Sequence, residues 1–212
     1  MRKISTGIAA LIAAFALAGL VGGVMIVTRG ATPRFEIELT ADAAQAIAQL
    51  GLEVPVTGRV FVVVARDSAR EPREQVDVTG VPFYGLDVRN LAPGQFVVVS
   101  DDAPGLAGYP LARIADLPPG EYYVRAFLNV YTTYHRADGH TLEMHHEMGE
   151  GQNVWRSPGN AYSAVQRVRL DPRSGGTITL RLSNVIPPIE PVPEGGVLDQ
   201  GNPQDGELVK FI

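Results

Sequence analysis

The chain predicts an all-β domain, an immunoglobulin-like or transthyretin-like two-sheet sandwich with an N-terminal hydrophobic helix and one short internal helix. Three observations predict it. Glycine and proline number 23 and 16 in 212 residues, a load that suits short strands joined by tight turns. Between residues 34 and 186 about seven or eight segments show apolar residues at alternate positions or in short unbroken runs, each bounded by turn chemistry. Only one of the intervening stretches reads as helix. At 45% hydrophobic and 19% charged, the chain has room for one domain with appendages but not for two full domains, and no internal repeat appears.

Residues 1–33 form a leader and tether. Met1, Arg2 and Lys3 give a basic start, and residues 7–27 carry no charge, the pattern of an export signal. Ala16-Leu17-Ala18 is a small-residue cleavage site, yet the apolar run continues to Val27 and reaches the roughly 20 residues that span a bilayer. A cleaved signal peptide and a retained membrane anchor are both open. In either case the basic start keeps the N-terminus inside and sends the rest out, to the periplasm or beyond.

The folded domain is expected over residues 34–189. Phe35, Ile37 and Leu39 alternate with Glu36, Glu38 and Thr40 as a half-buried strand, and residues 41–50 read as a short helix with Thr40 or Asp42 as N-cap and Gly51 as stop. The run from Val60 to Ala65 suits a central strand covered on both faces. Residues 67–75 read as a loop or edge, and 82–88 and 95–100 as strands parted by the Pro93-Gly94 turn. Residues 101–111 read as a connection. Further on, residues 165–170 and 177–182 read as the two arms of a hairpin, with Ile178, Leu180 and Leu182 sharing one face. Residues 190–212, rich in proline, glycine and acid, read as a linker or disordered tail.

The formal charge is −5 with no lysine or arginine cluster, which argues against nucleic acid as a partner. With no cysteine, disulfides, thiolate catalysis and zinc-thiolate sites are excluded. Neither G-x-G-x-x-G nor G-x-x-x-x-G-K-[ST] occurs, so no cofactor is implied. Serines Ser157 and Ser174 have glycine two positions on, but Trp155 and Pro172 two positions before, so no G-x-S-x-G elbow marks a catalytic serine.

Residues 117–163 hold all four histidines and the only tryptophan. The Leu117-Pro118-Pro119-Gly120 turn launches a strand whose Val124, Ala126, Leu128 and Val130 belong in the core. Tyr123, Arg125, Phe127, Asn129 and Tyr131 lie on the other face, half-wetted or under a loop. Asp138-Gly139 predicts a two-residue hairpin turn that pairs Ala137 with His140 and sets His135 opposite Leu142. In that register His135 and His140 are diagonal neighbours, roughly 7–8 Å apart. They are the candidate metal ligands, while His145 and His146 point to opposite faces. Tyr131, Tyr134, His135, His140, Trp155, Asn160 and Tyr162 are the candidate ligand-binding residues, since aromatic side chains on a β-sandwich can stack on sugar rings. The same aromatics can equally plug the sandwich or pin the loop.

The strings GRVFVVVARD, PFYGLDVRNLAPGQ, LPPGEYYVRAFLNVYTTYHRADGHT, EGQNVWRSPGNAYS and LRLSNVIPPI together resemble the N-terminal region of secreted bacterial esterases, in which an α/β-hydrolase domain follows. The resemblance covers residues 58–189 and the short 208–212. It implies a non-catalytic accessory domain that aids substrate binding or positions a hydrolase, whose catalytic serine would lie beyond Ile212, so that no catalytic residue falls in this chain. The partner it implies is a following or adjacent hydrolase; the aromatic residues point separately to a polysaccharide, and membrane contact is expected only through residues 7–27. The rival reading is an autonomous carbohydrate- or metal-binding module that uses residues 131–162.

Overall fold

The computed structural model describes residues 32–146, 148–149 and 153–189, with the backbone of 197–198 and 208–209. The hydrophobic helix expected at 7–27 lies outside these residues. So does the tail expected at 190–212, apart from an antiparallel contact of Val197–Leu198 with Leu208–Val209. Among the described residues no helix is long and apolar enough to cross a membrane.

The domain is all-β with one α-helix. Its strands are β1 (Arg34–Leu39), β2 (Val56–Ala65), β3 (Phe83–Leu91), β4 (Phe96–Val99), β5 (Ala107–Tyr109), β6 (Gly120–His135), β7 (Thr141–His145), β8 (Ala161–Ser163), β9 (Gln166–Leu170) and β10 (Thr177–Val185). They form one ten-stranded sheet in the order β4-β1-β10-β8-β6-β2-β3-β5, with β7 and β9 also pairing with β6, and the sheet curls into a half-barrel. The two strands that sequence reading missed, β5 and β8, have three residues each, too few to show a period. The stretch at 67–75 holds a 3-10 turn, Pro72–Gln75.

The inner face is built as the alternation requires. Phe35, Ile37 and Leu39 meet Val60, Val62 and Val64, then Val124, Ala126, Leu128 and Val130, then Leu180 and Leu182, all fully buried. Each of these side chains except Ala126 is worth about 1.5–3 kcal/mol of hydrophobic stabilisation. Helix α1 (Ala41–Gln49) closes one end with Ala43, Ala44 and Ile47. It begins where expected: the Thr40 hydroxyl accepts from the Ala43 N–H at 3.3 Å, and Gly51 beyond its end takes φ +79°.

The sheet departs from the sequence expectation at β9 and β10, which do not zip into a hairpin ladder. β10 lies parallel to β1, with Arg34 opposite Thr177, and antiparallel to β8, whereas β9 pairs with the start of β6. The Gln166 side chain bridges the split, donating to the Thr179 carbonyl at 2.9 Å. The cause is the length of β6. Sixteen residues give it room for both β8 and β9, and the chain stays with β6 through an extra residue between them: Phe127 faces Tyr162, but Val124 faces Gln166. β10 turns away to cover β1, where its buried Leu180 and Leu182 face Ile37 and Leu39.

Candidate functional site

The outer face of β6 and β2 carries a second, smaller core. Phe61 and Phe127 are cross-strand neighbours, and Gly85 on β3 stands opposite Phe61, where an added Cβ would lie 3.0 Å from the ring. Any larger residue there would press on the Phe61 ring. Trp155 packs on both phenylalanines, with ring centroids 5.4 Å from Phe61 and 4.8 Å from Phe127, and Phe83 and Tyr109 extend the row at 6.2 Å spacings. These tilted contacts are the geometry aromatic pairs prefer. Phe127 is thus fully buried rather than half-wetted, and Asn129 is 5% exposed, because the segment leading to β8 lies over them.

That segment is fastened by buried polar groups. Asn160, fully buried, accepts from the Val130 N–H at 2.8 Å and donates to Asn129 Oδ1 at 3.2 Å and to the Val154 carbonyl at 2.7 Å. His145 Nδ1 lies 2.9 Å from the same Asn129 oxygen. The buried His146 sets its ring nitrogens against the Val130 and Pro158 carbonyls at 3.2 and 2.9 Å, and Ser157 donates to the His146 carbonyl at 3.3 Å. Each contact meets a backbone or amide group that would be costly to bury unpaired.

Beside Trp155 sits a cluster of two arginines and one carboxylate. Glu71, at the start of the 3-10 turn, pairs with Arg73 and, at 2.5 Å, with Arg125 of β6. Both guanidiniums lie over the Tyr162 ring, 4.7 and 4.9 Å from its centroid, and Arg73 also donates to the Trp155 carbonyl at 2.8 Å. The cluster ties the 66–82 connection, β6, β8 and the Trp155 segment together.

At the far end of β6 the hairpin with β7 differs in register from the expectation. His135 faces Thr141 and Tyr134 faces Leu142, one residue out of step with the predicted pairing. Arg136 donates to the His140 carbonyl, Gly139 donates to the Arg136 carbonyl, and Gly139 takes φ +85°. The loop therefore has three residues with glycine last, because a turn through Arg136 to Gly139 leaves the left-handed position to Gly139 alone. His135 Nδ1 contacts the Thr141 hydroxyl at 3.1 Å, and His140 Nδ1 lies 3.2 Å from Asp138. Among the described residues no three His, Cys, Asp or Glu side chains converge as a metal site.

The candidate residues thus separate into three groups. Trp155, Asn160 and Tyr162 belong to the fastened segment. Tyr131 is half-buried beside Arg59 and Asp87; its phenol pKa is pushed up by burial, with Arg59 opposing. Tyr134, His135 and His140 are exposed on the hairpin, where Tyr134, Leu142 and Met144 are 41%, 41% and 49% exposed. Sequence reading missed Glu71 and Arg73 altogether, since nothing in a polar loop marks which charges will fold back onto a strand. Arg125 gave the one usable signal, a charge on the non-core face of a strand that is otherwise apolar.

Comparison with protein-family models, with curated proteins and with solved structures finds no match to this chain. Nothing in these comparisons identifies the chain as an esterase N-terminal region.

Proposed function

We propose that this chain is an exported, non-catalytic accessory domain that holds a hydrolase at a set distance and orientation. The observation that carries this reading is the placement of the chain's entry and exit. The Arg34 N–H donates to the Gly176 carbonyl, so the chain enters the sheet beside the first residue of β10, and it leaves at Ile186, whose N–H donates to the Asn160 carbonyl at the other end of the same strand. Nine residues of β10 separate the two points, about 30 Å at the rise of a strand. A rigid sheet entered at one pole and left at the other works as a spacer. The exposed hairpin row of Tyr134, Leu142 and Met144 supports a contact role.

The finer architecture belongs to the same proposal. β4-β1-β10 on one side and β9-β6-β2-β3-β5 on the other, linked in the ladder through short β8, fit an immunoglobulin-like or transthyretin-like sandwich left joined at one corner. Export by residues 7–27 is likewise part of it. The test joins two measurements: the DNA downstream of the Ile212 codon, and an assay of the purified chain on nitrophenyl acyl esters. An in-frame or adjacent hydrolase with an inactive chain is expected. Robust turnover abolished by substituting one serine would overturn the reading.

A further inference from the structure

We propose that Arg73, Arg125 and Tyr162 form a binding site for a small carboxylate-bearing ligand, a sugar acid, which goes beyond the positioning role. The first observation is the charge balance. Two guanidiniums share one carboxylate, Glu71, and among the described residues no second acid bridges to either. Arg125 Nε is buried without a hydrogen-bond partner. A partly buried cation with no acid of its own is costly, and an incoming oxyanion relieves that cost.

The second observation is order. The Arg73 and Arg125 side chains are 18% and 12% exposed, and both lie over the Tyr162 ring, so they are held in place yet still reached by solvent. A cation already ordered gives up little freedom on binding, and the planar fork of arginine matches a carboxylate in two parallel hydrogen bonds. The third observation is the wall. Tyr162 and Trp155 are half-buried aromatic residues beside the guanidiniums, the residue type whose flat apolar ring covers a sugar. A neutral sugar has nothing to offer the spare cation; a sugar acid satisfies both halves of the site.

Trp155 is the only tryptophan, and its carbonyl is bonded to Arg73, so the intrinsic fluorescence of the full chain reports on the site. The probe is glucuronate, with glucose and acetate titrated alongside. The expected result is a saturable change with glucuronate, none with glucose, and at least tenfold weaker binding of acetate. Arg73→Gln and Arg125→Gln should each weaken glucuronate at least tenfold. Glu71→Gln should tighten it, because the variant removes the competing carboxylate and keeps both cations. A misfolded protein cannot give that opposite sign. Should Glu71→Gln fail to fold, a rise in the wild-type Tm with glucuronate and not with glucose carries the same information. No saturable signal and no rise in Tm, an unchanged affinity in Arg125→Gln, or glucose binding as well as glucuronate overturns the site. Acetate binding as tightly as glucuronate overturns the sugar acid as its ligand.

Discussion

Replacing Asn160 with alanine should unfold the Trp155 segment's anchorage and lower the stability of the whole domain. The side chain makes three hydrogen bonds in a fully buried position, and their loss falls unequally. Val130 is fully buried, so its N–H is left with no partner, and Val154 is half-buried, so its carbonyl can turn to water. One stranded donor at about 1–3 kcal/mol, plus the Val154 bond re-formed with solvent at a few tenths to one, gives roughly 1–4 kcal/mol, since Asn129 Oδ1 keeps its contact with His145 Nδ1. For a domain of this size that is a fall in Tm of roughly 3–15 °C. Urea and thermal denaturation of the purified chain, followed by circular dichroism, measure it. Asn160→Asp sharpens the test. It keeps an acceptor for Val130, but sets a carboxylate against Asn129 Oδ1 and the Val154 carbonyl, and should be at least as damaging at neutral pH. Tyr134→Ser, on the exposed hairpin, should change stability by less than about 0.5 kcal/mol. If Asn160→Ala melts within about 2 °C of the wild type, the buried network does not hold the segment, and the structural role given to Asn160 is wrong.

Three further outcomes follow from the same contacts. Trp155→Ala removes a half-buried ring packed on Phe61 and Phe127, and should cost about 2–4 kcal/mol in urea midpoint analysis with an unchanged slope. Gly58→Ala would drive its Cβ to 2.1 Å from the Asn129 carbonyl oxygen in the centre of the sheet, and should leave little soluble protein on expression. The Arg59 guanidinium, bonded to both Asp87 oxygens at 2.6 and 3.0 Å, holds the Asp87 carboxyl below its ordinary range. Because the folded value is the lower one, the stabilisation is complete above the ordinary pKa of about 3.9 and fades as the pH falls through the lowered value. Asp87→Asn should therefore flatten the acid limb of the stability profile below about pH 4. The pair is exposed, so the difference should stay within about 1 kcal/mol.

The class of the fold and its main strands were legible because their cause is local. Phe35, Ile37 and Leu39 alternate, Val60 to Ala65 run unbroken, and Thr40 caps its helix through its own hydroxyl. Partner choice was not legible. Nothing in residues 165–182 states that β10 will leave β9 for a strand at the other end of the chain, since adjacency in sequence favours the hairpin until the length of β6 intervenes. The hairpin register turned on one residue of loop, because Asp138-Gly139 fits a two-residue turn as well as the end of a three-residue one. In the candidate site the aromatic row could be read as either a platform or a plug, and Trp155 proved to be packed on two phenylalanines. Glu71 and Arg73 meet Arg125 only through the fold, about fifty residues away along the chain.

The parallel pairing of β1 with β10 also bears on the order in which the domain can be made. Arg34 and Thr177 are 143 residues apart, so the first strand to leave the ribosome waits for nearly the last before its second edge is covered. Until then β1 has only β4 as a ladder partner among the described strands. Closure over such a separation carries a high contact order and is slow. A chain synthesised from its N-terminus therefore holds its opening strand half-paired until β10 docks into the gap.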